Sequence, residues 1–332
     1  MAPPLLTFTD RGIYCPEGDF HIDPWRPVDR ALVTHGHSDH ARPGMGAYLA
    51  TEAALPVIRH RLGRIQAEGI AWGEGRRING VTVSFHPAGH VPGSAQIRVE
   101  HRGEVWVVSG DFKTESDGLA EPWEPVACHT FISECTFGLP VFRWEPQADS
   151  MARIARWWQA NAAEGRLSVL GAYSFGKAQR LMAGLAALGP LPGPILTYPA
   201  VEEITAILRA QGYDLPPTAR LTPDAPRTAL AIVPPAALGS AALDRAGDTE
   251  QAFVSGWMAV RGIRRRRGLG LGFTLSDHAD WPGLNAAIRA TGASRVFVTH
   301  GYTAPFRRWL EEQGYDAGIV ATGYGTEGED DP

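Results

Sequence analysis

The chain has 332 residues, 44% of them hydrophobic and 20% charged, an ordinary balance for a globular protein long enough to fold as two domains. No run of 18 apolar residues occurs and the first residues lack the charged and apolar segments of a signal peptide, so no membrane partner is expected and a cytoplasmic protein is. The net charge of -5 comes mostly from Glu327, Glu329, Asp330 and Asp331 near the C-terminus; the nearly neutral remainder excludes a strongly basic coat and leaves any nucleic-acid partner to local patches.

In chain order, Phe8–Asp10 and Gly12–Tyr14 read as a hairpin, and Phe20–Asp23 as a short strand closed by Pro24. Asp23 lies at that strand's end, where it could orient a nearby ligand histidine. The apolar run Ala31–Thr34 then leads into His35-Gly36-His37-Ser38-Asp39-His40. Loops favour Asp and Ser but rarely concentrate histidine, and each of these side chains is an accepted metal ligand. Alternate residues can face different ions, so a site for two divalent metals is expected. Glu52–Glu68 reads as one or two helices, and Val81–His86 alternates as a strand does.

Three successive strand ends then deliver reactive groups. His90 follows the strand of Val81–His86 and is flanked by Gly89 and Gly93, which permit close backbone approach. Ala95–Glu100 and Val105–Ser109 form a hairpin through His101–Glu104, and the second arm runs into Asp111 and Lys113. Thr130–Ser133 runs into Glu134 and Cys135. In layered α/β folds such side chains collect at one rim of a sheet. The three cysteines, Cys15, Cys128 and Cys135, are too few and scattered for a disulfide framework.

From about Pro146 the pattern becomes strand and helix in alternation. A helix is expected over Asp149–Glu164 with Asp149 or Ser150 as its cap, then a strand Leu167–Gly171, then a helix from Lys177 to Leu188. The turn between them, with Ser174, Gly176 and Lys177, reads as an anion-binding corner, though it lacks the spacing of a Walker A loop. Strands Ile195–Thr197, Ala229–Val233 and Ala252–Ser255 and a helix Glu202–Ala210 complete a second, smaller α/β unit. Arg264, Arg265, Arg266 and Arg267 form a basic run that is either a solvated face or a contact to distant phosphates. After it come Asp277-His278-Ala279-Asp280, a helix Trp281–Thr291, and a buried strand Arg295–Thr299 that ends in His300.

Taken together, these motifs resemble the metallo-β-lactamase superfamily and, within it, the β-CASP nucleases. His35 to His40 is similar to the H-x-H-x-D-H signature; Ala88-Gly89-His90 and Ser109-Gly110-Asp111-Phe112 resemble the next two metal motifs. Ile132 to Gly138, Ser276 to Asp280 and Val298 to Gly301 resemble the three β-CASP motifs. The opening Tyr14-Cys15-Pro16 and Asp19 to Trp25 is similar to compact bacterial exonucleases found with ATP-dependent DNA ligases. The resemblance implies a four-layer αββα sandwich, residues 1–147 and 269–325, with an inserted smaller α/β β-CASP cap, 148–268, and an acidic tail, 326–332.

It also implies a chemistry. His35, His37 and His90 would hold one ion, Asp39, His40 and His300 the other, and Asp111 would bridge them. Zinc is the expected bound metal and manganese an alternative active one. Such a pair clamps a phosphodiester and turns water into the attacking hydroxide. Asp39, Glu134 and His278 are implied in catalysis, with His278, held by Glu134, as general acid. Beside the resemblance, the residues themselves offer Ser174, Gly176, Lys177 and Lys113 as candidate phosphate contacts, and the arginine run could bind more distant phosphates. The expected function is a metal-dependent DNA exonuclease in repair, associated with a DNA ligase and a helicase. A ribonuclease, a small-molecule metallo-hydrolase and an inactive nucleic-acid-binding scaffold are the alternatives. Glu134, His278 and the inserted cap argue against a small-molecule hydrolase, and the full ligand set argues against a scaffold.

Overall fold

The computed structural model describes residues 4–260 and 270–320, so the arginine run Arg264–Arg267 and the acidic tail lie outside the described residues. Two compact units form, and the first is discontinuous, comprising 4–116, 120–140 and 278–320. The second comprises 117–119, 141–260 and 270–277.

The first unit holds two mixed sheets among the described residues. One runs in chain order through Thr7–Thr9, Gly12–Cys15, Phe20–Ile22, Arg30–Leu32, Ala47–Thr51 and Ala67–Ile70. The other is ordered Asp316–Ile319, Arg295–Gly301, Thr130–Cys135, Glu104–Val108, Ala95–His101, Val81–Pro87 and Arg76–Ile78. The turn joining Ala95–His101 to Glu104–Val108 has positive φ at both Arg102 and Gly103, the twist that suits a two-residue hairpin.

Alternation decides which residues fill the interior. Ile13, Phe20, Ile22 and Leu32 of the first sheet join Val83, Phe85, Ile97, Val99 and Trp106 of the second in one buried cluster. A second cluster covers the opposite face of the second sheet, where Val107, Phe131 and Val296 meet Leu284, Ile288, Phe306 and Leu310 from helices Trp281–Thr291 and Thr303–Glu312. A third joins Ala31, Tyr48 and Ala50 to Leu55 and Ile58 of helix Leu55–Leu62. Strand Thr130–Cys135 is buried along its whole length, as a strand covered on both faces must be.

The second unit has one all-parallel sheet, ordered Thr218–Arg220, Ile195–Thr197, Leu230–Val233, Leu167–Gly171, Thr249–Val254 and Leu271–Phe273. Its core is divided between two clusters, one around Trp158, Leu181 and Ile232, the other around Val169, Leu196 and Val233. None of the described helices is long and apolar enough to cross a membrane.

Several elements differ from expectation. Glu52–Glu68 contains only the helix Leu55–Leu62, because Gly63 stops it at φ 74° and the chain then pairs as strand Ala67–Ile70. The helix expected from Asp149 begins at Gln147 with no side-chain cap. The Ser150 hydroxyl instead lies 2.6 Å from Glu145 Oε1 and 2.9 Å from the Thr274 carbonyl, either of which accepts its one proton. Leu271–Phe273, assigned from sequence to the C-terminal part of the sandwich, pairs with Thr249–Val254 in the second unit's sheet.

Candidate metal centre

All the residues expected to bind metal lie in the first unit, at the ends of its strands or just beyond them. Among the described residues, three groups of histidines and acids could each hold a metal ion: His35, His37, His90 and Asp111; Asp39, His40 and His300; and Asp111, Glu134 and His278. Within each group the ligand atoms lie within 4.8 Å of one another.

In the first group His37 Nδ1 lies 3.0 Å from His35 Nε2 and 3.1 Å from His90 Nε2. One ring nitrogen offers either one proton or one lone pair, so it can make one good hydrogen bond here, not two. Three nitrogens converging in this way suit a shared cation: around a tetrahedral ion with bonds of ~2.0–2.1 Å, ligand atoms sit ~3.3–3.4 Å apart. Asp111 Oδ2 is 3.6 Å from His35 Nε2 and 3.8 Å from His90 Nε2. The same oxygen is 3.4 Å from His40 Nε2, which in turn is 3.5 Å from Asp39 Oδ2. Asp111 therefore faces both groups. Its Oδ1 is buried with no hydrogen-bond partner among the described residues, a costly state for a carboxylate with no cation near.

The electrostatics point the same way. Burial, followed by the neighbouring His40 and His37, holds His35 well below the usual imidazole range, and burial lowers His300. Both are thus kept in the neutral form that binds metal. Burial works against a charge on His40 too, yet Asp39, Asp111 and Asp23 raise it well above the usual range. Asp39 and Asp111 stay ionised, because His40 overcomes the burial that would protonate them. In protein alone, a proton on His40 supplies the positive charge that this acidic corner attracts.

Two carboxylates orient rings. Asp23 Oδ2 is 2.8 Å from His40 Nδ1, and a carboxylate accepts only, so Nδ1 carries a proton; a metal that displaces the second proton, on Nε2, would meet a lone pair facing the site. Asp23 is itself held by Thr34, whose N–H and hydroxyl donate to it at 2.8 and 2.6 Å. Glu134, fully buried, lies 2.9 and 3.0 Å from His278 Nδ1 through its two oxygens, and accepts the Phe112 N–H at 2.8 Å. His278 keeps about a fifth of its side chain exposed.

Backbone geometry sets the close approaches. Gly89 has φ +75°, and a Cβ there would lie 2.2 Å from the Lys113 carbonyl oxygen. Gly89→Ala should cost roughly 2 kcal/mol or more and displace His90. Urea unfolding together with metal analysis checks this; an unchanged midpoint would mean the loop has room to yield. His300 also has positive φ, 55°, opposite a register shift between Glu134 and Cys135. The Cys135 thiol donates to the His300 carbonyl at 2.9 Å.

No family model matches the chain. It is 31% identical to a protein named Probable DNA ligase from Opitutus terrae, over 93% of this chain and 30% of that protein. It is also 31% identical to one named Ribonuclease TTHA0252 from Thermus thermophilus, over 36% of this chain and 34% of that one. The chain thus spans about a third of the length of each of these relatives. A crystal structure of a protein of unknown function from Enterococcus faecalis V583 is similar in fold, with TM-score 0.58 and 11% identity, over 88% of this chain and 79% of that one.

The expected phosphate contacts are not part of these groups. Lys177 is buried in the second unit, 3.5 Å from Asp277 Oδ2 and 4.5 Å above the Tyr173 ring. The Gly176 N–H, which the sequence offered to an anion, donates to Gln179 Oε1 at 2.9 Å, and Ser174 accepts from the same side chain through its carbonyl at 3.0 Å. Lys113 is buried in the first unit, 3.4 Å from Glu115 Oε2. All three cysteines are free thiols, and burial pushes Cys128 up to about 11. Sequence reasoning missed Thr34, whose one signal was its place directly before His35.

Proposed function

We propose that the chain is a metal-dependent nuclease of the metallo-β-lactamase superfamily, β-CASP group, with residues 141–277 as the inserted cap. The two-sheet core with helices packed on both outer faces supports the αββα layering. The observation that carries the proposal is the junction at Asp111, whose carboxylate belongs to a histidine-rich group and to the Glu134–His278 pair, and also faces His40. Simple metal hydrolases need the first arrangement but not the second.

Two ions fit the donors: His35, His37 and His90 would hold one, Asp39, His40 and His300 the other, with Asp111 common to both. The nitrogen-rich set favours zinc, and the carboxylates admit manganese. When bound, the pair would supply Lewis-acid charge to the phosphodiester and a nucleophile made from water near neutral pH. The protein's own part is proton transfer. Glu134 accepts from His278 Nδ1–H and stabilises the imidazolium, so that Nε2–H can protonate the leaving oxygen. Asp23 keeps the His40 lone pair turned inward.

DNA is the favoured substrate, because a stretch similar to nearly the whole chain lies within a protein named as a DNA ligase. That also supports an exonuclease acting in repair beside a ligase. RNA is the second reading, favoured by the similarity to a protein named as a ribonuclease. The test is incubation with 5′- and 3′-labelled DNA and RNA in Zn²⁺ or Mn²⁺. Stepwise shortening of DNA that stops on chelation is expected, and failure to cut either polymer would overturn the proposal. Chelation should also lower the melting temperature by roughly 10 °C, since bound metal stabilises only the folded site. Differential scanning fluorimetry, with metal added back, would read that shift.

A further inference from the structure

Arg61 and Arg42 touch the loop His35–His40 without belonging to the groups described above. Arg61, in the last turn of helix Leu55–Leu62, donates from Nη1 to the Gly36 carbonyl at 2.5 Å, between His35 and His37. Arg42 donates from Nε to the Asp39 carbonyl at 3.3 Å. Arg61 is exposed over the residue as a whole, and its remaining guanidinium N–H groups have no hydrogen-bond partner among the described residues; partial burial of the side chain lowers its pKa, and the Asp39 carboxylate acts against that.

Helix geometry accounts for only part of this. Arg59 and His60 share the last turn, where cations complement the helix dipole. Arg59, however, donates to the Ala67 carbonyl and braces the neighbouring strand, whereas Arg61 reaches to the loop that carries the ligands. A free surface arginine loses much side-chain freedom when it binds a ligand. One already tethered at a single N–H loses less, and its planar fork still offers the paired donors that match a phosphate. The corner is otherwise acidic, with Asp39, Asp111 and Glu134, so a polyanion approaching it gains from any fixed cation at the edge.

We propose that Arg61, assisted by Arg42, binds a backbone phosphate of a nucleic-acid strand next to the phosphodiester being cleaved. The identity of this ligand rests on the nuclease reading. The role is positional: it holds the strand in register over the metal loop and takes no part in bond breaking. Arg61→Lys keeps the charge but loses the fork, so it should restore only part of the affinity.

The experiment has two readouts. Binding is measured by anisotropy with a fluorescent, cleavage-resistant phosphorothioate oligothymidylate in Mn²⁺, across a salt series. Arg61→Gln should weaken it about tenfold and flatten the log–log salt slope by ~0.7, the value for one lost contact to a single strand. Cleavage is measured on an oligonucleotide and on bis(p-nitrophenyl) phosphate, which has no flanking phosphate. The loss from Arg61→Gln should be at least about fivefold greater on the oligonucleotide. Equal losses on both substrates would overturn the proposal by making Arg61 a prop for the loop. Unchanged affinity and slope would overturn it as well. Arg61-dependent binding by a wild-type protein that cuts neither DNA nor RNA would sink the nuclease reading and leave the phosphate contact standing.

Discussion

Asp111→Asn should reduce cleavage of DNA and RNA by roughly 10³-fold or more, a barrier increase of ~4 kcal/mol. The substitution keeps the shape of the side chain and removes its charge. It acts on more than one group at once, because Asp111 Oδ2 lies within 4 Å of His35, His40 and His90 Nε2. Loss of Asp39 alone should be milder, since its carboxylate is 37% exposed and lies in one group only. Metal analysis by mass spectrometry should find less than the wild-type content in the Asn variant, with the fold retained by circular dichroism. A variant that kept full metal content and full activity would remove Asp111 from the centre and the two-metal reading with it.

His278→Ala should behave differently. On the proposed role of the ring as proton donor rather than ligand, turnover should fall by ~10²–10⁴-fold while metal content and melting temperature stay near wild type. The leaving group distinguishes the two roles. Nitrophenolate leaves without a proton, so the variant should lose much less on a p-nitrophenyl ester than on DNA. Equal losses, or loss of metal, would make His278 a ligand. Glu134→Gln should lower turnover in the same direction, since an amide orients the ring at Nδ1 but cannot stabilise its positive form. Folding must be measured alongside, because Glu134 is fully buried and also accepts the Phe112 N–H.

Much of the centre could be read from the sequence because its chemistry lies in side-chain identity over a short span. His35 to His40 is a run of accepted metal ligands whatever fold surrounds it. The Glu134–His278 contact is of another kind. It joins residues 144 apart, and only a resemblance to a known motif order could suggest it. Short edge elements were the weakest part of the fold reading. Arg76–Ile78 is three residues long and lies at a sheet edge, so no alternating pattern distinguishes it from a loop. Helix Thr303–Glu312 carries Phe306, Trp309 and Leu310 at helical spacing, a signal only one turn long that Pro305 in the first turn obscures. The opposite failure occurred at Lys177 and Gly176, where residue types suited to an anion are engaged by Asp277 and Gln179.

The pairing of strand Arg295–Gly301 with Thr130–Cys135 has a kinetic consequence. The Cys135 thiol meets the His300 carbonyl across 165 residues, and residues 141–277 of the second unit lie within that interval. During synthesis, strand Thr130–Cys135 must wait for its neighbour while the intervening parallel sheet is made and folds. Prior folding of that unit shortens the effective loop to be closed and so lowers the entropy cost of the late pairing. His300 arrives with the last strands of the first unit. A ribosome-bound chain stalled before residue 300 would therefore lack one member of the Asp39, His40 and His300 group.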